Sequence, residues 1–165
     1  MTIEGITFSP HSCAPGWYAA AIRGVNAKPV EADALRIQRS AMKRGYFSVC
    51  GFLDEESGYR VFLVPSNDVL AVLRVFEVGK RAADYDPDGH DRAVREIEAV
   101  HERCPLIPFF ADSACFKARF AGAVSEEVIT FLETALSAAE PMMDDDDGSI
   151  AGYVRTQKGI HLWWD

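Results

Sequence analysis

The chain has 165 residues, of which 48% are hydrophobic and 25% are charged, as in an ordinary globular protein whose length suits one domain. Its 25 acidic and 17 basic residues give a net charge of −8. This charge argues against nucleic acid as the main partner, because phosphate binding requires Lys and Arg to release counterions. No apolar stretch approaches the roughly 20 residues that span a bilayer, so we expect no membrane association.

The start of the chain and its cysteines predict a cytoplasmic protein. The first residues, MTIEGITFSPHSC, have neither a basic start nor a long apolar run and do not resemble a signal peptide. The four cysteines form no C-x-x-C pair. We therefore expect reduced thiols in a cytoplasmic setting.

The N-terminal part, residues 1–58, is predicted to contain a helix and the first strand of a hairpin. Residues 1–16 have no clear pattern. Periodicity and turn residues then predict a short strand at 18–24, a helix at 31–44 that ends at Gly45, and hairpin strands at 46–53 and 59–64.

The remainder, residues 59–165, alternates helices with short strands. We predict helices at 69–76 and 88–104, a hairpin over LIPFFADSACFKARFAG, a helix capped by Ser125, a short helix at 149–157 and a terminal strand at 160–164. This mixture predicts a single α+β domain over residues 1–165, with helices packed on a largely antiparallel sheet. The last strand would hold Trp163 and Trp164 in that sheet, where burial of indole rings is stabilising.

Two acidic stretches raise the question of a cation or a basic partner. In DYDPDGH, the residues Asp84, Asp86 and Asp88 match the first positions of an EF-hand calcium loop, but Arg95 stands where the loop needs a bidentate Glu. Capping of the next helix by Asp88 is the alternative. The run Asp144–Asp147 fits neither end of such a loop, and is either solvated or complementary to a basic partner.

His101, Cys104 and Cys115 are weak candidates for zinc ligands, since H-x-x-C places two ligands one helical turn apart. Both helical residues lie on the predicted apolar stripe, where a buried His and a buried thiol are more common. No nucleophile elbow, P-loop or dinucleotide motif is present. The residues to test for an unrecognised enzyme site are Asp84, Asp86, His90, His101 and Cys50.

Residues 60–165 resemble the bacterial family known as domain of unknown function 4253. The likeness lies in FLVPSNDVLAVLRVFEVGKRAADYD and the helix after it, in FFADSACFKARFAG with the helix SEEVITFLETAL, and in GSIAGYVRTQKGIHLWWD. Its most specific piece is the ending formed by Leu162, Trp163, Trp164 and Asp165. The resemblance implies a fold and a bacterial origin, and no activity.

These features predict an acidic protein-binding module without a cofactor, such as an immunity or antitoxin protein that occludes a basic toxin domain. The alternatives are an enzyme with an unrecognised acid–base or Cys-dependent site, and a regulatory or homo-oligomeric interaction protein. The candidate partner-binding residues are Asp86, Asp88, Asp144, Asp145, Asp146, Asp147, Trp163 and Trp164.

Overall fold

The computed structural model describes residues 1–21, 24–53, 58–67, 69–80, 87–136 and 149–164, which form an α+β fold. The strands are β1 (Thr2–Ile3), β2 (Ile6–Pro10), β3 (Tyr18–Ala20), β4 (Tyr46–Phe52), β5 (Tyr59–Pro65), β6 (Leu106–Ala111), β7 (Cys115–Phe120) and β8 (Gly159–Trp163). The helices are α1 (Ala27–Met42), α2 (Val69–Val75), α3 (Gly89–Arg103), α4 (Glu126–Ala135) and α5 (Ile150–Gln157). None of these helices is long and apolar enough to cross a membrane.

Backbone contacts divide the chain into two compact units. Unit 1 contains Met1–Phe76 and Pro108–Asp112, and unit 2 contains Glu77–Ile107 and Ser113–Asp165. The junction between residues 58 and 59, where the two predicted parts meet, lies between β4 and β5, which pair with each other inside unit 1.

Unit 1 is a mostly antiparallel sheet that α1 covers. Its strands follow the order β1-β2-β3-β5-β4-β6, with residues 108–111 of β6 belonging to this unit. The predicted hairpin of β4 and β5 is confirmed, with continuous register from Tyr46↔Pro65 to Phe52↔Tyr59. β6 is parallel to β4 and pairs with it at Cys50 and Gly51.

Helix α1 begins four residues earlier than its predicted start. Asn26 is the N-cap residue, and Pro29 falls in the first turn, where its missing N–H does not interrupt the helical hydrogen bonds. Gly45 has a φ of +81°, and its N–H donates to the Met42 carbonyl, so the glycine allows the sharp turn into β4. The helix buries Val30, Ala34, Ile37 and Ala41 toward the sheet.

The amide side chain of Gln38 extends the ladder between β4 and β6. Its Oε1 accepts the Ser48 N–H at 2.6 Å, and its Nε2 donates to the Pro108 carbonyl at 2.9 Å. The Ser48 hydroxyl lies 2.7 Å from both Gln38 Oε1 and the Ala34 carbonyl, and its one hydrogen can serve only one of these acceptors. This group of contacts, which we call the Gln38 bridge, fixes α1 against two strands.

An aromatic cluster forms part of the unit 1 core. The ring of Trp17 lies 6.3 Å from that of Phe62 and 5.8 Å from that of Phe76, while Phe62 and Phe76 are 5.2 Å apart in an edge contact. All three are at most 2% exposed. A Cβ at Gly51 would lie 2.2 Å from the Phe76 ring, so this cluster requires a glycine in β4.

Unit 2 packs three helices with the antiparallel pair of β7 and β8. α3 and α4 are in contact, as are α4 and α5, and α5 leads directly into β8. Arg103 of α3 donates to Glu127 of α4 at 2.6 Å and lies over the Phe131 ring at 4.9 Å. The predicted cap of α4 is confirmed, because Ser125 Oγ accepts the Val128 N–H.

Candidate partner-binding surface

The end of the chain is a strand held by β7. Residues from Gly159 to Trp163 pair antiparallel with residues from Arg119 to Cys115. One residue further on, the Trp164 N–H donates to the Ala114 carbonyl at 2.8 Å. The predicted terminal strand is therefore confirmed, and it continues as far as the last described residue.

The two adjacent tryptophans face opposite sides of this strand. Trp164 is 7% exposed and follows the buried residues Ile160 and Leu162 on one face. Trp163 is half-buried on the other face, as is His161. Trp164 therefore belongs to the core and not to a partner-binding surface, which corrects the prediction for this residue, while Trp163 remains a candidate.

The face that carries Trp163 combines aromatic and cationic side chains. Lys117 lies directly opposite His161 in the register of β7 and β8, and Arg119 lies opposite Gly159. The ring of Tyr153 in α5 is 6.2 Å from that of His161. We call the surface formed by Tyr153, His161, Trp163, Lys117 and Arg119 the outer β7–β8 face. Of these residues, the sequence singled out Trp163 alone, although strand alternation already placed Lys117 and Arg119 on one side of their strand.

Most of the acidic residues that were predicted to bind calcium or a basic partner lie outside the described residues. This applies to Asp84, Asp86 and the run Asp144–Asp147, so the calcium suggestion and the acidic-patch suggestion both remain predictions. Asp88 is exposed at the N-cap position of α3, as predicted, although its side chain makes no capping hydrogen bond. Its carboxylate still lies at the positive end of the helix dipole.

The acidic excess of the sequence belongs entirely to unit 2. Unit 1 contains eight acidic and eight basic residues, whereas unit 2 contains 17 acidic and nine basic residues. The net charge of −8 is therefore that of unit 2 alone. A net charge of this size attracts cationic molecules over distances comparable to the Debye length.

The zinc candidates are not brought together. Among the described residues, no group of three or more His, Cys, Asp or Glu side chains could hold a metal ion. His101 Nδ1 accepts the Leu106 N–H at 3.0 Å, and burial lowers the pKa of this imidazole. Burial also raises the pKa of the Cys104 thiol, which favours the thiol over the metal-binding thiolate. His101 thus supports the backbone turn after α3.

The remaining candidate enzyme residues have structural contacts. His90 Nδ1 lies 2.7 Å from the Val78 carbonyl, a contact within unit 2 that joins the start of α3 to the preceding turn. Cys50 is fully buried in the middle of β4, with its sulfur 3.9 Å from the Ala27 carbonyl. A buried thiol in a strand acts as a small apolar side chain.

Comparison of the chain with protein-family models, with curated proteins and with solved structures finds no match. The resemblance of residues 60–165 to domain of unknown function 4253 therefore stays a prediction.

Proposed function

We propose that this chain is an acidic protein-binding module whose unit 2 engages a basic protein. An immunity or antitoxin protein, which covers the surface of a bacterial toxin domain in the cytoplasm and so blocks it, is the specific form of this proposal. The observation that carries it is the location of the whole net negative charge in the unit that also presents a half-buried tryptophan.

Long-range attraction and local anchoring have separate origins in this proposal. The net charge of unit 2 accelerates encounter with a cationic surface, an effect that weakens as salt shortens the Debye length. Trp163 then supplies a rigid aromatic anchor, because the pairing of β8 with β7 already fixes its backbone.

The test is capture of a partner from lysate of the source cells, followed by affinity measurements with the purified partner. Four immobilised proteins are compared: wild type, Trp163→Ala, a variant with Asp144–Asp147 changed to Asn, and Met42→Ala. Met42 is 41% exposed on α1 in unit 1 and serves as the matched control for loss of an exposed apolar side chain.

We expect one basic protein to bind wild type and the Met42→Ala control equally. The Asn variant should associate more slowly and lose most of its salt dependence, while Trp163→Ala should dissociate faster. Co-expression should also relieve any toxicity of the captured protein. Binding that persists unchanged at about 1 M salt, where the Debye length is about 3 Å, and in both unit 2 variants would contradict the proposal.

A further inference from the structure

The solvent side of α1 combines positive charge with apolar side chains. Leu35, Arg39, Met42 and Lys43 stand at helix positions i, i+4, i+7 and i+8, which share one side, opposite the buried residues of this helix. Met42 is 41% exposed, Arg39 and Lys43 are exposed, and Leu35 is half-buried. The sequence has no acidic residue from position 34 to position 53. These four residues, which we call the α1 outer face, therefore form a cationic surface with accessible apolar side chains.

The two cations of the α1 outer face have no structural partner that fixes them. Arg36 on the same helix forms ion pairs with two carboxylates, and Arg44 donates to the Thr2 carbonyl at 3.0 Å. The side chains of Arg39 and Lys43, in contrast, make no hydrogen bond or ion pair with the residues that the structure describes. Positive charge near the C-terminus of a helix favours the helix dipole by up to about 1 kcal/mol, but this effect does not require an apolar side chain beside the cations.

The complementary charge is carried by unit 2. Unit 1 has no net charge, so the α1 outer face is a positive area in a neutral unit, whereas unit 2 has a net charge of −8. In the sequence of unit 2, Met142 and Met143 directly precede the run Asp144–Asp147. The sequence of unit 2 therefore combines charge with apolar side chains as the α1 outer face does, but with the opposite sign, and such complementarity favours association.

We propose that the α1 outer face binds the acidic unit 2 of a second copy of this chain. Leu35 and Met42 would supply the apolar contact, and Arg39 and Lys43 would pair with carboxylates of that copy, in keeping with the enrichment of Met and Arg at interfaces. Two different surfaces meet in this contact, so it is heterologous, and a pair of copies still has one surface of each kind available. Assembly therefore continues beyond the dimer or closes into a ring.

This self-association goes beyond the binding of a basic protein and does not depend on it. A basic partner and the α1 outer face would both use unit 2, so they would compete when the protein is concentrated. The test needs only the purified chain, so its outcome is the same whether or not a basic partner exists.

Salt has two opposing effects on this contact. Two copies with a net charge of −8 repel each other, and at about 0.01 M salt, where the Debye length is about 30 Å, this repulsion acts at long range. At about 0.1 M salt the Debye length is about 10 Å, so the repulsion is largely screened while close ion pairs remain. At about 1 M salt, where it is about 3 Å, the ion pairs weaken as well. Association should therefore be strongest at intermediate salt.

Sedimentation velocity of the full chain over a range of protein concentrations measures this association. We expect a dissociation constant on the order of 0.1 mM near 0.1 M salt, as suits a small contact, and at least tenfold weaker association at both salt extremes. Arg39→Glu should weaken association at least tenfold, and Arg39→Gln, which is milder for the helix dipole, should give an intermediate loss. Arg74→Glu is the matched control, because Arg74 is exposed on α2 in the same unit, and this variant should associate as wild type does.

Mixing two variants tests whether the contact is heterologous. Arg39→Glu keeps the acidic unit 2, and a variant with Asp144–Asp147 changed to Asn keeps the α1 outer face while the net charge of its unit 2 is halved to −4. Each variant alone should associate at least tenfold more weakly than wild type. Their equimolar mixture should form a 1:1 complex with the affinity of wild type and nothing larger.

Four results would each overturn the proposal: a wild-type chain that stays monomeric at every salt concentration, wild-type association by a folded Arg39→Glu, equal weakening by Arg39→Glu and Arg74→Glu, or a mixture of the two variants that forms no complex. Equal weakening would mean that net charge alone, and not the α1 outer face, controls association.

Discussion

Replacement of Gln38 by Leu tests whether the Gln38 bridge stabilises unit 1. Leucine keeps most of the side-chain volume, so the substitution removes the amide without creating a large cavity. It leaves the Ser48 N–H and the Pro108 carbonyl without the partners that lie 2.6 Å and 2.9 Å away. Each buried polar group left without a hydrogen bond costs about 1–3 kcal/mol, and Gln38 itself is half-buried, so we expect a loss of about 3 kcal/mol.

Urea unfolding, followed by the fluorescence of the three tryptophans, measures this loss. The midpoint should fall at unchanged slope, since neither the folded nor the unfolded state changes its compactness. Gln157→Leu, at the exposed end of α5, is the matched control and should change the free energy of unfolding by less than about 0.5 kcal/mol. Ser48→Ala keeps the backbone N–H bond to Gln38 and should cost only about 1 kcal/mol.

A loss below about 1 kcal/mol for Gln38→Leu would refute the argument, because water would then satisfy both backbone groups as well as the amide does. A loss in Ser48→Ala as large as that in Gln38→Leu would place the stabilisation in the hydroxyl instead. The double variant distinguishes these cases, since two groups in one hydrogen-bond network are not additive.

Three further substitutions test the core and the chain end. Gly51→Ala should cost about 1–3 kcal/mol in urea unfolding, because its Cβ meets the Phe76 ring at 2.2 Å, and a neutral result would contradict the packing. The lowered pKa of His101 means that the unfolded state binds more protons just below the ordinary value of 6.5, so stability should fall as the pH drops through that window. His101→Asn should make the loss of stability with falling pH shallower. If the pH profile of unfolding is the same in this variant as in wild type, His101 is not the group responsible. Trp164→Ala should cost about 3–5 kcal/mol by thermal or urea unfolding, and a loss below about 1 kcal/mol would mean that the indole is not part of the core.

The elements that are predicted best have a recognisable sequence pattern within their own residues. α4 has an apolar period of 3.6 residues and a serine cap, and the β4–β5 pair has two apolar runs around a turn. β1 and β2 were missed because they are short, with two and five residues, and pairing with other strands defines them: β2 pairs with both β1 and β3. Helix α1 begins before its predicted start, and its first turn includes Pro29, which this position tolerates.

The candidate surface was predictable only in part. Strand alternation puts Trp163 and Trp164 on opposite faces, but tertiary packing decides which face is buried.

The path of the chain between the two units has a consequence for protein synthesis. Unit 1 takes residues 108–112 from a part of the sequence whose neighbours on both sides belong to unit 2. A ribosome therefore delivers Met1–Phe76 long before the Pro108 carbonyl that Gln38 binds, and before the strand that pairs with Cys50 and Gly51. Until the chain has lengthened this far, the nascent N-terminal segment lacks one strand of the unit 1 sheet. For the same reason, a fragment that stops at Phe76 lacks one strand of its own sheet, the one that pairs with Cys50 and Gly51.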